Sequence, residues 1–420
     1  MLFNRTKYVG PHGVPLYVEH MPGARVVAMT VKVFTGSADD VAVGKPGLYH
    51  WFEHSPFRGT ESFPTMDSFA VLLGRHATQR NASTGRLSTS FDITVPETHW
   101  REGLTYGLDL VARPLLTNEG IKAEQEIILS EISDSLADPE YRVDHRIDAI
   151  LFPDHPTSHP TLGTEESILS MDANTIRRAH REGYSWNRVI ICVSGGVATA
   201  EVADFIWDYI SRHPMNALSE RRSGASHGPC LLRASGSVQR SESSSTFVRI
   251  LIPIAPYTRG SDQTDEWTMT YHMFAAGGMQ SPLMKVLRQE RPLVYGANMG
   301  HYSGPDRWYF IVEASTRPGN GEEVLQEAKR LFTRADLLDR ERLNWVHDYM
   351  LGNDAHITPN PRGSVNDTFH ALSQWDQPLS HEERQRRQIS VPYDRIRDCI
   401  ETLAVNLEAS AATFVFEGNK

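Results

Sequence analysis

The residues best equipped for chemistry lie in Gly47-Leu48-Tyr49-His50-Trp51-Phe52-Glu53-His54-Ser55-Pro56-Phe57-Arg58-Gly59-Thr60. Two histidines stand four apart, with a glutamate immediately before the second. On a helix, positions i and i+4 share a face, so His50 and His54 can grip one metal ion. Glu53 lies about 100° round the helix from His54, where its carboxylate can flank the ion without ligating it. Two imidazoles and an unligated carboxylate suit hydrolytic zinc chemistry. The metal brings a water towards a pKa of about 7, and the carboxylate takes its proton. The order His-x-x-Glu-His inverts the commoner His-Glu-x-x-His zinc signature. A capped helix with a charged outer face would carry the same letters in a chain of 18 histidines. The pentapeptide alone therefore leaves both readings open.

A third ligand is needed, and Glu124-Gln125-Glu126-Ile127-Ile128-Leu129-Ser130-Glu131-Ile132 offers one. The pattern predicts a helix over 118–137. On it Glu124 and Glu131, seven residues apart, project from nearly one face. An isolated glutamate pair is ordinarily a solvated acidic face. With a two-histidine site upstream, that reading weakens.

The elements that must position these residues fit a soluble α+β protein. At 420 residues the chain exceeds one ordinary core and suggests about two to four domains. Hydrophobic residues make up 40% and charged residues 22%, a globular composition. A formal charge of −10 argues against a nucleic-acid binder, which would show a basic surplus. Three cysteines without a CxxC pair make a disulfide framework or a thiolate zinc site unexpected. Cys192, inside Val189-Ile190-Ile191-Cys192-Val193, reads as a buried strand residue. Met1–Lys7 lacks the apolar core of a signal peptide, and no apolar run reaches the roughly 18 to 20 residues of a membrane span. The expectation is a cytoplasmic protein without a membrane span.

Strand-like runs at 14–20 and 25–34, joined by Met21-Pro22-Gly23-Ala24, predict a β-hairpin or adjacent strand pair. Helices are expected at about 65–73, 97–113 and 198–212, and strands at 87–95 and 188–194. Residues 213–245, rich in Ser and Gly, read as a linker between an N-terminal domain (1–212) and a C-terminal domain (246–420). The second half begins again with a strand at 246–254. It continues with helices at 263–275 and to Arg291, then strands at 294–302 and 307–315 and a helix at 320–333. Two or three helices and a strand at 411–417 follow. This element order resembles the first half, which suggests duplication although no residue-level repeat is visible.

With these residues in view, the chain resembles peptidase family M16, the pitrilysin-type inverzincins that include insulin-degrading enzyme and the mitochondrial processing peptidase. The resemblance runs through most of the chain and matches the short-subunit type of about 400 residues. His50 to His54 with the exit loop Phe57-Arg58-Gly59-Thr60 looks like that family's metal-binding helix. Glu131, 77 residues past His54, matches its third zinc ligand. Glu124 matches the glutamate that supports the site, and Asn81-Ala82-Ser83-Thr84 matches the substrate-binding edge strand. Arg288 and Tyr295 match a pair that holds substrate across from the metal. Ser55-Pro56 in place of an apolar pair, and the bulky Tyr49 and Trp51, depart from the pattern without removing a ligand.

The resemblance implies two related halves joined by a linker, forming half of a clamshell chamber. It implies one Zn²⁺ per chain on His50, His54 and Glu131, with Glu53 as base, Glu124 in support and Tyr295 stabilising the oxyanion. Asn81, Ala82, Arg288 and Tyr295 would bind an extended peptide, in a homodimer or a heterodimer with a related subunit. The alternative is a non-catalytic partner subunit with the same fold, usually one that lacks a ligand.

Overall fold

Period-2 alternation of apolar and polar residues builds two separate sheets, each backed by helices. The computed structural model describes residues 5–75, 77–153, 155–219, 236–240, 243–303, 307–356 and 359–419. They divide into two compact units. The first comprises 1–137, 154–226 and 359–369; the second comprises 138–153, 227–358 and 370–420.

In the first unit, strands β1 (Arg5–Val9), β2 (Pro15–His20), β3 (Val26–Val33), β4 (Gln79–Thr84), β5 (Thr89–Pro96) and β6 (Val189–Gly195) form one sheet. Its order is β1-β2-β6-β3-β5-β4. The runs at 14–20 and 25–34 are strands, yet they are not neighbours. β6 lies between them, parallel to β2 and antiparallel to β3. The reason is burial. Every residue of β6, Cys192 included, is buried, and such a strand belongs inside a sheet rather than at its edge. β4 occupies the edge beside β5, with Asn81 opposite Asp92 and Thr84 opposite Thr89.

One face of this sheet packs on helices. Phe91, Ile93 and Val95 of β5 join Met29, Val31 and Val33 of β3 beneath α3 (Trp100–Ala112). Gly107 lets that helix lie close, since a Cβ there would meet Met29 Cε at 2.3 Å. The opposite face carries Thr30, Asp92 and Thr94. Arg362, in the first turn of the helix Pro361–Trp375, donates to Thr30 Oγ1 (2.8 Å), Asp92 Oδ1 (2.9 Å) and Thr94 Oγ1 (3.1 Å). Lys32 lies over the Phe369 ring at 4.5 Å. A segment from far along the chain therefore covers this face.

The second unit contains β7 (Gly236–Arg240), β8 (Thr246–Pro253), β9 (Val294–Ser303), β10 (Trp308–Thr316) and β11 (Ala412–Glu417), ordered β7-β11-β8-β10-β9. In each unit, taken from β2 and from β7, the first strand pairs parallel with the fifth. The remaining pairs are antiparallel and run fifth, second, fourth, third. The duplication suggested by element order is thus a duplication of strand topology. A π-helical turn also precedes the edge strand in both units, at Val71–Arg75 and at Lys285–Glu290. These turns replace the ends of the helices expected over 65–73 and up to Arg291. β7 falls inside the stretch read as a linker, where a Ser/Gly composition masked a five-residue strand; residues 220–235, 241 and 242 lie outside the described residues. Among the described residues the C-terminal tail holds four helices rather than two or three.

The second sheet also has one face covered from elsewhere. Val143, Ile147 and Leu151 of α5 (Pro139–Leu151) cluster with Phe247, Leu251, Tyr309, Ile311, Phe414 and Phe416. Arg249, wholly buried on β8, donates to Glu140 Oε1 (2.6 Å) and Asp144 Oδ1 (2.9 Å). A buried guanidinium needs such partners, because a lone buried charge costs several kcal/mol. Each unit therefore contains a segment from the other half of the chain. We expect proteolytic nicking between Ser219 and Gly236 to leave two fragments that co-elute on size exclusion without denaturant. Fragments that separate would contradict this account of the two sheet faces.

Candidate metal centre

The helix α1 (Leu48–His54) is only seven residues long, too short to persist on its own propensity. Its start is fixed by Asp40, a buried residue whose carboxylate accepts the Gly47 N–H (2.8 Å) and the Tyr49 N–H (3.1 Å). Burial pushes the Asp40 carboxyl up to about 8, opposed by backbone N–H groups that favour the ionised form. Gly47 has φ +86°, and a Cβ there would lie 2.6 Å from the Leu162 carbonyl oxygen. Both conformation and space therefore require glycine.

The helix is then tied to α4 (Asn118–Ala137) by Trp51. This residue is 1% exposed, and its indole N–H donates to the Ile121 carbonyl at 3.1 Å. Phe52 stacks on His180, with ring centroids 5.4 Å apart. The bulky residues around the histidines are thus anchors. Ile121, Ile128 and Ile132 bury the inner stripe of α4, which also carries Glu124 and Glu131.

Across these two helices, His50, His54 and Glu131 each offer a ligand atom, and the three atoms lie within 4.8 Å of one another. His50 Nε2 and His54 Nε2 are both 3.7 Å from Glu131 Oε2. That is too long for a hydrogen bond. It is near the spacing of about 3.4 Å that two ligands take across a tetrahedral ion with bonds of about 2 Å. The groups converge on a point instead of bonding to one another. His54 donates its Nδ1–H to Glu124 Oε2 at 3.1 Å, leaving the lone pair on Nε2. Glu124 also accepts from the Arg58 guanidinium. Burial favours the neutral acid, but the His54 and Arg58 hydrogen bonds hold the Glu124 carboxyl below the usual range. Burial, reinforced by the neighbouring His54, depresses His50 to about 4 and keeps its imidazole unprotonated. Burial also disfavours charge on His54, yet Glu124, Glu131 and Glu53 together raise it.

Glu53 stands outside the three-atom cluster, buried at the sheet side of α1. Its Oε2 accepts the Thr84 hydroxyl at 2.7 Å. Burial raises its carboxyl, while Thr84 works in the other direction. Of the remaining expected residues, Asn81 is exposed and Ala82 half-buried on β4. Arg288 and Tyr295 belong to the second unit, where the guanidinium donates to the Tyr295 carbonyl and the Tyr295 side chain is exposed. Sequence reasoning assigned no role to Asp40, Arg58 or Thr84. The last two sat inside quoted motifs, and Asp40 sat in a loop whose partner is fixed only by the fold.

Residues 16–165 match the description "Insulinase (Peptidase family M16)", and residues 170–336 match "Peptidase M16 inactive domain". The chain belongs to peptidase family M16. Among its relatives is an uncharacterized zinc protease of Mycobacterium leprae, 26% identical over 326 residues, covering 75% of this chain and 70% of the relative. An uncharacterized zinc protease of Bacillus subtilis is 22% identical over 341 residues, covering 80% and 81% respectively. The fold matches a solved structure from Pseudomonas fluorescens described as a peptidase M16 inactive domain. The TM-score is 0.86 at 15% identity, covering 99% of this chain and 98% of that one. No described helix is long and apolar enough to cross a membrane.

Because Asp40 satisfies two buried N–H groups at the start of α1, Asp40→Ala should destabilise the protein by about 2 kcal/mol or more. It should also weaken zinc binding. Chemical denaturation followed by metal titration checks both effects.

Proposed function

We propose that this chain is a zinc-dependent endopeptidase of the cytoplasm that cleaves unfolded or short peptides. The observation that carries the reading is the convergence of His50, His54 and Glu131 with a separate buried carboxylate, Glu53, beside them. Two imidazole nitrogens and one carboxylate oxygen make the donor set of a catalytic zinc site, with one position left for water or substrate. When bound, the ion lowers the pKa of water and polarises the scissile carbonyl.

Glu53 takes the proton of the attacking water and returns it to the leaving amine. Glu124, braced by Arg58, holds the His54 ring in the tautomer that ligation needs. The free edge of β4, with Asn81 and Ala82, would pair with an extended peptide through main-chain hydrogen bonds. That mode favours unfolded chains over particular sequences. Arg288 and Tyr295, by their resemblance to the family's substrate-binding pair, would hold the peptide opposite the metal. The exposed Tyr295 would donate to the developing oxyanion. We infer further that two subunits enclose the substrate and that Arg288 and Tyr295 of one serve the zinc site of the other. A chain that carries both sets can do this as a homodimer, and a related subunit could take the second place.

Metal analysis should find about one zinc per chain, and chelation should abolish cleavage of an unstructured peptide. Glu53→Gln should keep the zinc while cleavage falls by about 100-fold or more. Substantial cleavage by a metal-replete Glu53→Gln protein would sink the assigned role. A metal-bound wild-type protein without activity on any peptide would favour the non-catalytic subunit. For the paired arrangement, mixing Glu53→Gln with Tyr295→Phe protein should restore part of the activity. Absence of rescue despite proven subunit exchange would count against it.

A further inference from the structure

Thr84 is the last residue of β4 and faces α1. Its hydroxyl has one proton to give and three neighbours: Glu53 Oε2 at 2.7 Å, the Tyr49 carbonyl at 3.5 Å and Thr89 Oγ1 at 3.5 Å. The shortest contact takes the proton, and Thr89 spends its own on the Thr35 carbonyl at 2.9 Å. The Thr84 backbone N–H also favours the ionised carboxylate. The hydroxyl holds Oε2 in particular, at a normal hydrogen-bond length. Oε2 of the carboxylate is thus tethered to β4.

Three features make this a built arrangement. Thr84 is β-branched and held by the strand, so its χ1 is confined and its hydroxyl direction is nearly fixed. It touches α1 at Tyr49 and at Glu53, one helical turn apart on the same face. It also lies on the edge strand that would receive substrate, opposite Thr89 of β5.

We propose that Thr84 is the positioning residue for the base, holding Glu53 Oε2 so that Oε1 alone handles the proton. This rests on the peptidase reading and deepens it: the strand that docks the peptide also sets the carboxylate that activates water. Substrate alignment and base alignment then share one rigid element, so a peptide seated on β4 is in register with the proton acceptor.

The test compares Thr84→Val, which keeps the branched shape, with Thr84→Ser, which keeps the hydroxyl. In zinc-loaded protein, Thr84→Val should lower kcat about 10- to 100-fold, with KM and the zinc content unchanged. Thr84→Ser should recover most of the loss. A kcat within twofold of wild type, or Thr84→Ser behaving like Thr84→Val, overturns the proposal. A rise in KM at constant kcat overturns it as well, since it would place Thr84 in substrate docking alone. A crystal structure of Thr84→Val supplies a readout independent of activity: the Glu53 carboxylate should leave its place beside β4. An unmoved carboxylate overturns the positioning role even if the wild-type protein cleaves no peptide. Inactive wild-type protein in which Thr84→Val does displace Glu53 would instead count against the peptidase reading alone.

Discussion

The candidate ligands come from two helices, and the packing of α1 against α4 is what brings them together. His50 and His54 are spaced by the helical repeat, but nothing local places Glu131 opposite them. That task falls to the buried indole of Trp51, bonded to the Ile121 carbonyl, and to the isoleucine stripe of α4. A bond from a rigid, fully buried aromatic to a backbone carbonyl leaves little freedom for sliding. Asp40 fixes where α1 begins, so the register of both histidines is set from outside the helix. Metal sites lose affinity when supporting contacts are removed, and here the support is distributed over Asp40 in the 3₁₀ turn Ser37–Val43, a tryptophan and a glutamate–arginine pair.

The same economy governs the sheets. Each has one face of aliphatic side chains under its own helices and a second face that only a remote segment can cover. Arg362 does this on the first sheet by satisfying Thr30, Asp92 and Thr94. On the second sheet α5 supplies the apolar side chains, and its acids neutralise Arg249. Both covers place a charged group where it is fully hydrogen-bonded, which is the condition for tolerating it under a protein surface.

Much of this was legible in the sequence because the decisive signals are local. The helix over 118–137 was legible to its last residue, and the strands expected at 188–194 and 246–254 from short apolar runs lie at Val189–Gly195 and Thr246–Pro253. His50, His54 and Glu131 followed from spacing and from a family resemblance. Long-range pairing was not legible. Turn residues at Met21–Ala24 suggested a hairpin, but the buried character of β6 drew that strand between β2 and β3. β7 was hidden because its glycine and serine, and the Ser-rich run after it, carry loop chemistry, while its pairing with β11 is fixed only by the far end of the chain. Arg362 left no sequence signal, and Thr84 lay in a quoted motif without its role, because what defines each is a partner distant in sequence.

The interleaving of segments also orders events during synthesis. The helices bearing the candidate ligands are complete by residue 137, yet residues 359–369 belong to the same compact unit. At translation rates of about 5–20 residues per second, the ligand-bearing helices exist for tens of seconds before the cover for their sheet emerges. During that interval the unit cannot reach its final packing. His50, His54 and Glu131 can therefore settle into their final positions only after residues 359–369 have emerged.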